Sequence, residues 1–298
     1  MCTKKVLPFT GSATAIVTPM RYDGEIDYAA FERLIEFQIS NGSDALVICG
    51  TTGESATLDD HEKSELTRLG VRAVDSRVPV IVGTGSNSTR HSIELSKEAY
   101  DLGADALLLV TPYYNKTSQD GLVRHFEAVA DSTPLPVILY SVPSRTGVNI
   151  TPETCQRLKT HERICAIKEA SGDISQIARI RALCGDELYV YSGNDDQTLP
   201  ILSLGGKGVI SVFSNICPRV SHDICALWND GKASDAAALF LDYLDLMNAL
   251  FCDVNPLPVK EALNMMGFAV GKCRAPLYDV SQKASDALRS AMSRHGLI

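Results

Sequence analysis

The sequence predicts a closed (β/α)8 barrel with a C-terminal helical extension, and three observations carry that expectation. A short β-branched run, a polar turn and an amphipathic segment recur in that order, eight times over. No linker or break in composition divides the series. The eight units fill about 230 residues, close to the roughly 250 usual for such barrels. An open doubly wound sheet is the alternative, and it ranks second because nothing separates two halves.

The first unit reads "ATAIVTP" and then "DYAAFERLIEFQISNG", where Asp27 can cap the helix and Gly42 can stop it. "DALVICG" leads to a helix from about residue 58. "VPVIVGTG" precedes a helix over 88–102, and "ADALLLVTP" one over 118–130. The second half continues with "LPVILYSVP" and "TPETCQRLKT", then "ICAIKEAS" and "DISQIARIRALCG". "ELYVYSG" with "QTLPILSLGG", and "KGVISVFS" with "PRVSHDICALWNDG", complete the series. Beyond it only helical stretches remain, such as "AAALFLDYLDLMNALF" and "PVKEALNMMG". Residues 1–232 are therefore read as the barrel domain and 233–298 as the extension. The apolar content of the extension exceeds what one exposed helix hides, which predicts a contact between copies of the chain.

Composition narrows the function. The 298 residues are 45% hydrophobic and 21% charged, an ordinary globular balance. A net charge of −8 with no dense Lys/Arg cluster argues against a nucleic-acid surface. No apolar stretch approaches the roughly 20 residues that cross a bilayer. Nine cysteines run from Cys2 to Cys273 without CxxC pairs or a preceding apolar leader, which predicts a reduced, cytoplasmic protein. The six histidines form no HExxH or HxH pair, so no metal site is expected. "LGGKG" at 204–208 lacks phosphate-loop spacing, and no GxSxG elbow is present.

Barrels of this kind carry their chemistry at the C-terminal strand ends. Read alone, those ends are "TP", "GTTGE", "GTG", "TPYYN", "YSVPSRTG", "KEASG", "SGNDD" and "SVFSN". Lys168 stands among them, inside an apolar strand. Burying an ammonium costs several kcal/mol unless it is paired or gives up its proton. The plain alternative is that Lys168 reaches solvent from a strand end. Strand alternation puts Ile164 and Ala166 on its face and Glu169 on the other, so the adjacent carboxylate is not its partner. A desolvated lysine is a nucleophile toward carbonyls and forms a Schiff base that acts as an electron sink. Tyr140 at the end of its strand is the candidate proton carrier, against the plainer role of a core tyrosine. Thr51 and Thr52 offer hydroxyls and backbone N–H groups to a carboxylate.

As a set, "GTTGES", "TPYYN", "VPSRTG", "IKEASG", "SGNDD", "GGKGVISV" and "NPLPVK" resemble the pyruvate-dependent class I aldolases of the dihydrodipicolinate synthase and N-acetylneuraminate lyase superfamily, its synthase branch in particular. The resemblance spans nearly the whole chain. It implies that Lys168 forms the Schiff base with pyruvate and that Thr51, Tyr140 and Tyr114 relay protons, with Tyr114 reaching a neighbouring subunit's site. Thr52 would bind the pyruvate carboxylate, Arg145 the carboxylate of L-aspartate 4-semialdehyde, and main-chain groups of Gly193 and Ile210 would line the pocket. The product implied is 4-hydroxy-tetrahydrodipicolinate, formed by a homo-oligomer, a dimer of dimers, without metal or organic cofactor. One departure is Ser141, where the family often has asparagine. A lyase of sialic or 2-keto-3-deoxy sugars, and a non-catalytic binding barrel, are the rival readings; "SRTG" argues against the first, and Lys168 with Tyr140 against the second.

Feedback-regulated members bind L-lysine at a dimer interface. Ser55, Ala56, Asn87 and Tyr113 match that pattern, whereas Asp60, Lys63 and His91 depart from it. The departures predict weak inhibition by L-lysine or none.

Overall fold

A computed structural model describes residues 5–298. Strands β1 (Gly11–Ala15), β2 (Ala45–Ile48), β3 (Val80–Gly83), β4 (Ala106–Val110), β5 (Val137–Ser141), β6 (Ile164–Glu169), β7 (Tyr189–Ser192) and β8 (Gly208–Ser211) close into a parallel barrel, β8 returning to β1. The open-sheet alternative is excluded. Helices α1 (Tyr28–Ser40), α2 (Asp60–Val74), α3 (Thr89–Asp101), α4 (Gln119–Ala130), α5 (Pro143–Thr146), α6 (Pro152–Leu158), α7 (Ile174–Cys184), α8 (Thr198–Ser203) and α9 (Pro218–Asn229) follow their strands in order. Four more complete the chain: α10 (Ala233–Asp242), α11 (Leu244–Ala249), α12 (Leu257–Met265) and α13 (Gln282–Arg294).

Local chemistry explains the boundaries. Asp27 accepts a hydrogen bond from Ala30 N at the start of α1, and Gly42, at φ +89°, lies just past its end. α2 begins at Asp60 because Asp59 and Glu62 form a reciprocal capping box. Ser88 and Ser118 cap α3 and α4. The single turn α5 is not expected from the sequence; Pro143 starts it and Gly147, at φ +70°, ends it. The helix expected across "AAALFLDYLDLMNALF" breaks at Tyr243, whose ring stacks on His295 at 4.2 Å.

Every strand residue is buried except Gly83 and Val110, which are half-buried, as a sheet covered on both faces requires. Leu46, Leu107, Leu139, Ile167 and Val190 pack outward against the helices, while Ala13, Val47, Leu108, Ile138 and Ile210 fill the interior. Phe9 closes the bottom, stacked on Tyr191 at 4.2 Å, with the Tyr191 hydroxyl donating to the Phe9 carbonyl at 2.6 Å. Strict alternation fails at the start of β6. The register slips between Val137 and Ile138, which face Ile164 and Ala166 in turn. Ile164 therefore packs outward and Cys165 inward with Ala166, correcting the expectation that Ile164 shares the face of Lys168.

The eight described cysteines are free thiols, and Cys2 lies outside the described residues. No helix among the described residues is long and apolar enough to cross a membrane.

Between α3 and α4, His125 is buried with Nδ1 at 2.9 Å from the Thr89 hydroxyl and Nε2 without a partner among the described residues. Burial lowers the imidazole to about 4 from an ordinary 6.5. The unfolded chain takes up a proton that the folded chain refuses. This contribution is therefore fully present above pH ~6.5 and is lost as pH falls toward ~4, by up to about 3 kcal/mol. Denaturant midpoints measured across that window should fall less steeply in His125→Leu than in the unaltered chain; equal slopes would sink the assignment.

Candidate active site

The barrel register builds the site. Lys168 on β6 is paired with Tyr140 on β5 and with Tyr191 on β7, so the lysine stands between two tyrosines. Tyr191 is turned to the bottom and spent on Phe9. Tyr140 faces the mouth, and the Lys168 ammonium nitrogen lies 4.3 Å from the centroid of its ring. Lys168 is 5% exposed, and among the described residues no carboxylate lies within ion-pair distance of it. Glu169 is engaged elsewhere, accepting from Ser171 N at 2.8 Å and Gln176 Nε2 at 3.0 Å. Burial pushes the Glu169 carboxyl up, partly offset by those donors.

Gly193, just past β7, donates its N–H to the Glu169 carbonyl at 2.8 Å. A Cβ there would lie 2.7 Å from that of Ala170 and 3.2 Å from Cε of Lys168, so the lysine stem occupies the space a side chain would need. Ile210 is fully buried on the inner face of β8, level with Ala13. Asp195 completes this side: its carboxylate accepts from Val212 N at 3.1 Å and Phe213 N at 3.0 Å, tying the β7 and β8 loops together. Burial raises its carboxyl, with the Ser211 hydroxyl, the two N–H groups and Lys168 opposing.

Thr51 and Thr52 lie on the turn after β2. Thr51 borders both a chamber of about 30 Å³ shared with Tyr140 and an outer vestibule of about 370 Å³. Lys168 lines neither hollow; it stands level with Tyr140 in the barrel, its ammonium nitrogen over the tyrosine ring. The hydroxyls of Thr51 and Tyr140 make no hydrogen bond among the described residues. Thr52 is buried and accepts from Asn255 Nδ2 at 3.1 Å. Arg145 stands at the vestibule and donates from one terminal nitrogen to the Asn255 carbonyl at 3.3 Å. Asn255 thus joins Thr52 to Arg145, and its own Oδ1 is buried without a partner among the described residues. Sequence reading assigned no role to Asn255 or Asp195; the signal available was only that "NPLPVK" and "SGNDD" belong to the resembling set.

Tyr114 is the exception among the expected site residues. It is 92% exposed, at φ +68°, and lines neither hollow, whereas Tyr113 borders the vestibule. Within one chain the structure therefore gathers Lys168, Tyr140, Thr51, Thr52, Gly193, Ile210 and Arg145 around the mouth and leaves Tyr114 outside. Ser141 is fully buried; its hydroxyl donates to Asn149 Oδ1 at 3.1 Å and accepts from Ile150 N at 3.3 Å. At the vestibule wall, Asp60 accepts from Lys63 Nζ at 3.3 Å and pairs with His91 Nε2 at 3.0 Å.

A sequence profile described as the dihydrodipicolinate synthetase family matches residues 8–295. The chain belongs to the dihydrodipicolinate synthetase family. A relative in Lachnoclostridium phytofermentans, named 4-hydroxy-tetrahydrodipicolinate synthase, is 52% identical over 97% of this chain and 99% of its own. The dihydrodipicolinate synthase of Acinetobacter baumannii, solved in complex with pyruvate, superposes with a TM-score of 0.95 at 42% identity, covering 97% of this chain and 99% of that one. The enzyme of Cyanidioschyzon merolae, solved with lysine bound, gives 0.95 at 44% identity over the same shares. Full-length agreement with this family places the gathered mouth residues on a synthetase barrel and leaves the sugar-lyase reading without support.

Proposed function

We propose that the chain condenses pyruvate with L-aspartate 4-semialdehyde, through a Schiff base on Lys168, to give 4-hydroxy-tetrahydrodipicolinate for diaminopimelate and lysine biosynthesis. The observation that carries the reading is the Lys168 amine, desolvated and unpaired against the face of Tyr140. The amine adds to the pyruvate ketone, and loss of water leaves an iminium. Loss of a methyl proton gives the enamine, whose carbon bonds to the aldehyde carbon as the aldehyde oxygen takes up a proton. The substrate's own amine then adds to the iminium carbon, closing the ring and releasing Lys168. Thr51 and Tyr140 carry the protons. Thr52 holds the pyruvate carboxylate, Gly193 and Ile210 bound the pocket with main-chain groups, and Arg145 holds the semialdehyde carboxylate by charge-assisted hydrogen bonds.

A homo-oligomer, a dimer of dimers in the cytoplasm, fits this reading, with residues 233–298 a helical extension of the barrel domain over 1–232. Tyr114 supports it: a bulky residue at φ +68° with its side chain in water is unfavourable in a lone chain and explicable if a partner buries it. There it would complete the proton relay of the neighbouring site.

Borohydride added with pyruvate should fix an adduct on Lys168 by mass spectrometry, and labelling of another lysine instead would refute the assignment. Arg145→Ala should keep that adduct while lowering kcat/KM for the semialdehyde about ten- to a hundredfold. Mixed Tyr114→Phe and Lys168→Ala subunits should regain activity that neither has alone; persistent inactivity after demonstrated subunit exchange would rule out a shared site. L-lysine should inhibit weakly or not at all, because Asp60 is already held by Lys63 and His91 and Lys63 brings a like charge to the vestibule. Initial rates that fall at micromolar L-lysine would contradict this.

A further inference from the structure

We propose that the buried ion pair between Glu54 and Lys260 is a positioning device for the turn bearing Thr51 and Thr52, so that α12 sets the affinity of the site for its ketoacid carboxylate. The inference rests on the roles proposed above for Lys168 and Thr52. Two residues bracket the turn in left-handed backbone, Cys49 at φ +56° and Glu54 at φ +58°. Neither is glycine, so the conformation persists only if its surroundings impose it. Local bonds hold the turn closed: Glu54 N–H to the Thr51 carbonyl at 3.1 Å, Ser55 N–H to the Gly50 carbonyl at 3.3 Å and Thr57 N–H to the Glu54 carbonyl at 2.9 Å.

The outside restraints converge from the loop after β1, from α12 and from the segment between α12 and α13. The Thr18 hydroxyl donates to the Gly53 carbonyl at 2.7 Å. Lys260 Nζ donates to Glu54 Oε1 at 2.7 Å, to the Thr18 carbonyl at 3.0 Å and to the Lys272 carbonyl at 2.7 Å. The other Glu54 oxygen accepts from Arg274 N at 2.8 Å. Five residues before Lys260, Asn255 donates to the Thr52 hydroxyl. The "NPLPVK" segment therefore grips the turn twice, at Thr52 and at Glu54. Both charged side chains of the pair are 2% exposed. A buried pair rarely adds stability over apolar residues of the same size, so stability alone does not account for it. What it adds here is direction: a fixed cation draws the Glu54 carboxylate to one point, and the strained turn follows.

The test separates position from stability. Lys260→Met strands a buried carboxylate and endangers the fold, so two other variants carry the question. Glu54→Asp keeps the charge but withdraws it by one methylene, and Glu54→Gln/Lys260→Met removes both charges together. Each should unfold within a few degrees of the unaltered protein, yet KM for pyruvate should rise about tenfold while kcat at saturating pyruvate changes less than about threefold. Borohydride at saturating pyruvate should still label Lys168. An unchanged KM for pyruvate in either folded variant overturns the proposal. So does a parallel fall in kcat and melting temperature with both KM values raised, which would mark a merely structural pair. Trapping on the unaltered protein runs alongside, so a failure of the Lys168 reading is seen separately.

Discussion

A lysine enclosed with no carboxylate at ion-pair distance is among the costliest groups a strand can hold, and among the described residues the mouth of this barrel is arranged around one, Lys168. Lys168 is fixed by β6, whose every residue is buried, with Tyr140 and Tyr191 level with it on either side. The barrel must be closed for this to hold, since an edge strand would let the side chain escape to water. Closure also confines the nearest carboxylates. Glu169 faces outward into a network with Ser171 and Gln176, and Asp195 is spent on two backbone N–H groups. Among the described residues the Lys168 nitrogen is therefore left without a carboxylate at ion-pair distance, as the proposed Schiff-base role requires.

The second buried lysine shows what ordinary satisfaction looks like. Lys260 has a carboxylate and two carbonyls within 3.0 Å, every donor of its ammonium engaged. Removing one partner of such a pair costs about 3–5 kcal/mol, because the other charge is stranded. The two lysines share burial and differ in partners, and that difference separates the proposed Schiff-base amine from a structural cation. Burial alone would have marked both.

The strand series, the capping residues and the burial of Lys168 were legible because each leaves a local mark: short β-branched apolar runs, Asp or Ser before a helix, a charge inside an apolar strand. The outward turn of Ile164 was not, because a bulge depends on the neighbouring strand's register and leaves no trace in the residues of β6 themselves. Glu54 reads as one more acid in a turn, and its burial depends on Lys260, 206 positions away. Asn255 was invisible for the same reason: its partners, Thr52 and Arg145, come from different loops. Residues whose role is to join distant loops cannot be read from the residues beside them.

Strain at the mouth follows the same logic of external support. Cys49, Glu54, Tyr114 and Lys116 all hold left-handed backbone on the loops after β2 and β4, at a cost of roughly 1–3 kcal/mol each. On the β2 loop the chain supplies the restraints, through Thr18, Asn255, Lys260 and Arg274. On the β4 loop, Asn115 reaches the Asn87 carbonyl at 2.9 Å, but the Tyr114 ring stands in solvent. A bulky side chain gains nothing from water that would offset such a backbone. The partner surface proposed above would supply that compensation by covering Tyr114, which is how the proposed shared site and the strained backbone are connected.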